Sequence, residues 1–239
     1  MIKITKTAFR WTITLNRPNK ANAINMEMLE KLNSILDDAK DENQLRSLVI
    51  TGAGKVFSAG ADLEELKNNN EITTTSKWKE LSDKIANIPC LTLAALNGTL
   101  AGGAFGMVLA CDLRIAPIEA NFFYPVLKNN LLPQPNDIER MVDITGLSTA
   151  KLILLAGQKI SAQKALETNL VDQIFEKETF FSTIDGLCSI VEKNNGVSLL
   201  AIKRLFQGKG NSKIKKDAVL AVFEKNDSAI KRLKEIESF

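Results

Sequence analysis

The sequence predicts an α/β protein, a core of short strands mixed with helices followed by a smaller all-helical lobe. Three observations lead there. Through the first part of the chain, apolar runs of strand length such as RWTITL, SLVIT and LTLAAL alternate with stretches of helical period. From Ser148 onward the pattern is almost wholly helical. The chain has 239 residues, 45% hydrophobic and 25% charged, which suits one medium-sized core with a small appendage. The division falls near 190–200, giving a core over 1–195 and a helical lobe over 196–239.

Residues 2–15 read as one or two strands, because Trp11, Ile13 and Leu15 alternate with Thr12 and Thr14. Asn16-Arg17-Pro18-Asn19 is turn chemistry. A helix starts at Asn25 and runs to about 40, with Met28, Leu29, Leu32, Ile35 and Leu36 on one face. A strand at 46–51 is closed by Gly52-Ala53-Gly54, and Phe57 to Asp62 lead into a short helical run. Residues 68–75 are polar and lack aromatics, so a mobile loop is expected. Then come a helix at 76–87, a strand at 91–96, a buried helix at 102–111, a strand at 112–116 and a short one at 122–126. Pro133 and Pro135 make 128–137 irregular. Helices follow at 151–156, 161–169, about 178–194, 198–206, 213–224 and 228–238.

Composition excludes several chemistries. There is no histidine, so no imidazole base, Ser-His or Cys-His pair or His-ligated metal exists here. The work falls to carboxylates, Tyr, Lys, Cys or backbone groups. A net charge of +3 is too mild to imply nucleic acid, and Trp11 and Trp78 lack basic interleaving. Cys90, Cys111 and Cys188 make no disulfide framework or CxxC pattern, and buried thiols are expected. The N-terminus has no signal-peptide layout, which points to the cytoplasm. The uncharged stretch 91–111 is long enough to span a bilayer, but its glycines and polar residues fit a strand, a turn and a buried helix better.

Four segments then resemble the crotonase, or enoyl-CoA hydratase/isomerase, superfamily over roughly residues 10–235. They are Leu15-Asn16-Arg17-Pro18 with Asn22-Ala23, the loop GAGKVFSAGADL from Gly52, and Asn97-Gly98 through Ala101-Gly102-Gly103 to Cys111-Asp112. The fourth runs from Gly146 through Ile160-Ser161-Ala162 to Leu170-Val171-Asp172. The resemblance implies a spiral of ββα units with a C-terminal helical trimerisation region, as a homotrimer or dimer of trimers. It implies an acyl thioester of coenzyme A or of a phosphopantetheine carrier protein as substrate, with no tightly bound cofactor, no metal, no nucleic acid and no membrane. By the same resemblance, Ala59 and Gly103 donate backbone amides to the thioester carbonyl as an oxyanion hole. Gly103 stands at a helix start, where amides lack intrahelical partners and the dipole is positive. The competing reading is that Gly102 and Gly103 only let a core helix pack closely. For the carrier, the resemblance points to backbone at Asn22, Ala23, Ala61, Asp62 and Leu63, with Arg17 and Lys20 near phosphate. Lys203 or the Lys213, Lys215, Lys216 cluster would reach a neighbouring subunit's carrier, although a solvated basic face accounts for that run equally well.

The acids that a family hydratase needs are missing. Registered on Asp112, the first falls at Gly106; the second, normally after a proline, falls at Val126 behind Pro125. The following glycine-rich segment is Asn130 to Asp137 here, with its glycines lost. Asp137 and Tyr124 are the candidate proton-handling residues, with Lys128, Asn130 and Gln134 as further polar options. For Asp137 the bland alternative is a first-turn acid, and for Tyr124 a core-edge residue. Asp62 and Asp112 read as structural partners. Three classes remain open: a decarboxylase of malonyl-type thioesters, an isomerase or atypical hydratase working with one acid, and a non-catalytic thioester-binding or assembly subunit.

Overall fold

The computed structural model describes residues 1–68, 71–207, 212–223 and 227–235. The chain opens with an antiparallel hairpin of β1 (Ile2–Lys6) and β2 (Arg10–Leu15), in register from Ile2 opposite Leu15 to Lys6 opposite Trp11. The alternation read from the sequence is the observed one: Trp11, Ile13 and Leu15 are buried and the threonines between them half-buried. A short 3-10 turn at Pro18–Lys20 precedes α1 (Met26–Lys40). Asn25 caps this helix, its side chain accepting the Met28 amide at 3.0 Å. Met28, Leu29, Leu32, Ile35, Leu36 and Ala39 face the core, and each large aliphatic buried there contributes about 1.5–3 kcal/mol.

The rest of the core winds as a spiral in which each turn gives one strand to each of two sheets and then a helix. The first turn is β3 (Ser47–Gly52), β4 (Val56–Ser58) and the helices α2 (Leu63–Asn68), α3 (Glu71–Thr74) and α4 (Lys77–Asn87). The second is β5 (Leu91–Ala95), β6 (Thr99–Ala101), a 3-10 turn at Gly102–Ala104 and α5 (Phe105–Leu109). The third is β7 (Leu113–Pro117), β8 (Asn121–Phe123) and α6 (Asp137–Leu154). Then come β9 (Ile160–Ser161), α7 (Ala162–Glu167), β10 (Gln173–Phe175), α8 (Phe180–Glu192), α9 (Gly196–Gln207), α10 (Ser212–Phe223) and α11 (Asp227–Glu235). One sheet runs β1-β2-β3-β5-β7-β10 and the other β4-β6-β8-β9. In the second sheet β4, β6 and β8 are parallel, so the segments leaving their C-terminal ends gather at one edge. Phe57, Phe105 and Phe122 fill the space behind that edge with no exposure at all. Leu200, Ala201, Ala218, Ala221 and Ala229 of the last three helices form a small core of their own.

The structure departs from the sequence reading in three places. Strands β6, β9 and β10 are two or three residues long, too short to show a period, and β9 and β10 lie where helix or nothing was expected. Residues 138–147, left unassigned by pattern, form the first half of α6; Gly146 (φ 78°, ψ 160°) breaks the run, so no single period spans it. The expected mobile loop at 68–75 is instead helical up to 68 and again from 71, with residues 69 and 70 outside the described ones. Ile72 is buried and its carbonyl accepts the Trp78 indole N–H at 2.7 Å, which ties the segment down. No helix among the described residues is long and apolar enough to cross a membrane, and 91–111 is divided among β5, β6 and α5. Cys90, Cys111 and Cys188 are free and buried; burial pushes the Cys90 and Cys111 thiols up to about 12, which leaves them inert.

Candidate active site

The site is built where the segments leaving β4, β6 and β8 meet. Two asparagines far apart in sequence brace the first of these. Asn22, fully buried, donates to the carbonyls of Ala53 (2.9 Å) and Val56 (2.7 Å). Asn97 accepts the Gly52 amide at 3.0 Å and donates to the Gly54 carbonyl at 2.9 Å. Gly98 lets the chain pass so close that an added Cβ would stand 2.0 Å from the Lys55 carbonyl oxygen. Downstream, Gly60 holds φ 92° and packs onto the turn after β6, where its Cβ would meet the Gly103 amide nitrogen at 2.9 Å. The two loops nest because neither carries a side chain at their contact.

Among the amides of this nest, the structure corrects one assignment. Ala59 N–H, expected as an oxyanion donor, is spent on the Ala21 carbonyl at 2.9 Å. Two residues on, Ala61 forms a parallel bridge with Ile24, in which Ile24 N–H donates to Gly60 and Asp62 N–H donates to Ile24. That bridge uses the groups on either side of Ala61, so its own amide points the other way, and Ala61 lines the cavity. Gly103 lies in the first turn of the helical segment that becomes α5, ahead of the amides that find intrahelical acceptors. A Cβ at Gly103 would make ordinary van der Waals contact with the Trp78 ring, at 3.6 Å, and meet nothing closer.

The cavity holds about 750 Å³. It is lined by Ala61, Gly102 and Gly103, by Trp78, and by Tyr124, Val126 and the segment from Leu131 to Pro135. Trp78 has spent its N–H on Ile72, so it presents an apolar face. Asn130 and Gln134 also line the cavity, whereas Lys128 is exposed outside it. Trp78 was read only as a residue unrelated to nucleic acid; an isolated tryptophan in a helix carries no sign of which cavity it floors.

Gly106 and Val126 are both buried and supply no acid. Val126 closes the wall with methyl groups. Behind Gly106, however, stands the Asp137 carboxyl: a Cβ on Gly106 would lie 2.8 Å from its Oδ1. Asp137 is fully buried at the first turn of α6, and its Oδ2 accepts the Tyr124 hydroxyl at 2.8 Å. Oδ1 has no partner among the described residues. Burial pushes the carboxyl up to about 6, against the opposing pull of the Tyr124 hydrogen bond and the Arg140 charge. Burial and the neighbouring carboxyl push the Tyr124 hydroxyl well above its usual range. Its ring stacks on Phe105, 5.2 Å between centroids and 12° between planes, which fixes the hydroxyl's direction. Pattern singled out both residues but could not pair them.

Several side chains around the expected carrier contacts bond within the fold. Arg17 pairs with Asp62 and donates to the Ala23 carbonyl at 3.1 Å. Asp62 accepts the Glu64 amide at 2.9 Å at the start of α2; burial would raise its carboxyl, but Arg17 and the α2 amides outweigh that and hold it below the usual range. Lys20 pairs with exposed Glu64 at 2.7 Å, and Leu63 stands exposed at the cavity mouth. Lys203 is engaged within its own chain. Its ammonium is buried, 2.8 Å from the Cys90 carbonyl and 2.7 Å from Asp112, and it does not line the cavity. Asp112 also accepts the Thr92 amide and hydroxyl, each at 2.8 Å, so it is the structural acid that the sequence suggested. Lys213, Lys215 and Lys216 are exposed at the start of α10.

Known proteins resemble this chain over most of its length. Residues 10–228 match the family model described as enoyl-CoA hydratase/isomerase. The short-chain-enoyl-CoA hydratase of Clostridium acetobutylicum is 28% identical over 80% of this chain and 75% of its own. The trans-2-decenoyl-[acyl-carrier-protein] isomerase of Streptococcus mutans is 27% identical over 81% and 76%. The crystal structure of an enoyl-CoA hydratase from Bacillus anthracis superposes with a TM-score of 0.87 at 27% identity, covering 98% of this chain and 96% of that one.

Proposed function

The chain belongs to the enoyl-CoA hydratase/isomerase family, and from that premise we propose that it binds an enoyl thioester of coenzyme A or of a phosphopantetheine carrier and moves its double bond. The observation that carries this reading is the arrangement of the Ala61 and Gly103 amides, both without an acceptor in their own loops, beside one apolar cavity. A thioester carbonyl seated between them would gain two donors as its oxygen takes on enolate charge, each worth about 3 kcal/mol in a water-poor site.

Water addition needs an acid and a base on either side of the double bond. By the family resemblance the two acid positions are Gly106 and Val126, and the acid that stands beside Gly106 is Asp137. A site with one proton-handling group suits removal and return of one proton, which is what moving a double bond requires. Moving a double bond leaves the oxidation state of the substrate unchanged. The exposed apolar side chains Phe206, Val219 and Phe223 beyond residue 195 are assigned by the same reading to packing between copies, as a homotrimer or dimer of trimers.

Two measurements test this. Calorimetric titration with a 2-enoyl-CoA should show binding, and incubation with 2-enoyl and 3-enoyl thioesters should interconvert them by chromatography without net gain of water. Steady formation of a hydroxyacyl product would return the protein to the hydratases, and loss of CO2 from malonyl-CoA alone would make it a decarboxylase. Failure to bind any acyl thioester would remove the reading altogether.

A further inference from the structure

We infer that Tyr124 and Asp137 act as one two-member proton relay, in which the Tyr124 oxygen exchanges protons with the substrate carbons and the Asp137 carboxyl behind it stores the proton. The inference rests on the thioester-binding reading above and names the groups that do its chemistry.

Four observations carry it. Tyr124 lines the cavity, whereas Asp137 has no exposed surface and does not, so the carboxyl reaches a bound ligand only through the tyrosine. The hydroxyl and Oδ2 are 2.8 Å apart, within proton-transfer distance. The remaining oxygen, Oδ1, is buried without a partner among the described residues, in the volume that a side chain at 106 would take. Buried carboxyl oxygens in folded proteins are almost always hydrogen-bonded, and a side chain kept in this state by packing is a mark of function over stability. Finally, Phe105 stacked on the ring prevents the hydroxyl from swinging away.

The relay balances without a co-reactant. In the resting state Asp137 is a carboxylate and Tyr124 a neutral phenol donating to it. A C–H bond beside the thioester carbonyl breaks, and its proton passes to the Tyr124 oxygen. The phenolic proton moves to Asp137 Oδ2, while the electron pair of the C–H bond enters the enolate. Return in the opposite direction delivers a proton to the γ carbon, restores the carboxylate and leaves the double bond moved by one position. The relay works only with Asp137 deprotonated, so turnover should rise with pH through about 6.

The test is exchange of the substrate's α and γ hydrogens with D2O, followed by NMR on the full-length protein. Wild type should exchange them, and Tyr124→Phe and Asp137→Asn should each lose about 100-fold or more in rate. Both should retain acyl-thioester affinity within a few-fold and a cooperative thermal transition. In Asp137→Asn the residual rate should lack the inflection near pH 6. Exchange surviving in Tyr124→Phe would mean the carboxyl reaches the substrate directly, and exchange surviving in Asp137→Asn, or an unchanged pH inflection, would mean the tyrosine works without it; each overturns the relay. Wild-type protein that binds the thioester but exchanges nothing overturns it too, while leaving the binding reading intact. Absence of binding instead defeats the binding reading.

Discussion

Gly106 and Asp137 share one volume, and a larger residue at 106 would compete for it. Gly106→Ala places a methyl 2.8 Å from Asp137 Oδ1; the carboxyl is fully buried and held through Oδ2 by Tyr124, so it cannot yield cheaply. The expected cost is about 1–3 kcal/mol in urea unfolding, with most of it absent when Asp137 is already alanine; additivity in that double-mutant cycle would contradict the shared volume. The same carboxyl makes a pH prediction. Its value rises from 3.8 to about 6 on folding, so between these the native chain holds more protons than the unfolded one. Stability therefore falls as pH rises through that window and is level above it. Asp137→Asn should remove this slope, up to about 3 kcal/mol across the window, in denaturant titrations at pH 4 and pH 7. Residue by residue, the absence of acids at 106 and 126 was plain in the sequence. Which of two nearby alanines offers a free amide was not, because Ala59 and Ala61 sit in the same run of small residues and differ only through contacts to Ala21 and Ile24.

At the scale of elements, the glycines before α5 divide into those the backbone needs and the one the ligand needs. Gly98→Ala drives a Cβ to 2.0 Å from the Lys55 carbonyl and should cost about 3 kcal/mol, dragging the loop at Gly52–Val56 with it. Gly103→Ala meets nothing closer than 3.6 Å and should change the melting free energy by no more than about 1 kcal/mol. It should nonetheless weaken acyl-thioester binding at least tenfold, about 1.4 kcal/mol, by calorimetry. Equal effects of both substitutions on stability would mean that Gly103 serves packing alone. The longer elements were legible because their period repeats: α1 shows its buried face at Met28, Leu29, Leu32, Ile35 and Leu36. The strands β6 and β9 escape notice because two or three residues complete no pattern, and their existence depends on the neighbours they pair with, Val56–Ser58 and Asn121–Phe122.

Across the whole molecule, an ion pair between buried Lys203 and exposed Asp112 ties the C-terminal helices to the spiral. Lys203 of α9 reaches Asp112, at the start of the third turn, and the Cys90 carbonyl, just before the second. Lys203→Met leaves the Cys90 carbonyl without that donor, while Asp112 stays exposed and bonded to Thr92, so a loss of about 1–2 kcal/mol in global stability is expected. Thioester affinity should be unaffected, since Lys203 stands away from the cavity; a selective loss of affinity with stability preserved would restore it as a carrier contact. The spiral itself explains why the site forms where it does. Three turns each deliver a strand to the second sheet, and their outgoing segments supply in order the Ala61 amide, the Gly103 amide and Tyr124.

Residue chemistry and local periodicity were readable from the chain alone: no imidazole, no acid at 106 or 126, glycine-rich loops of a known kind, strands mixed with helices and then helices only. Those properties depend on which atoms a residue carries and on neighbours a few positions away. Partnership depends on contacts between distant segments, and it appeared only once the chain was folded. Folding brings Asp137 into the gap at Gly106, spends the Ala59 amide on Ala21, turns that of Ala61 away from Ile24 and turns Lys203 inward. A donor, a carboxyl or a void means something chemically only through what long-range packing sets against it.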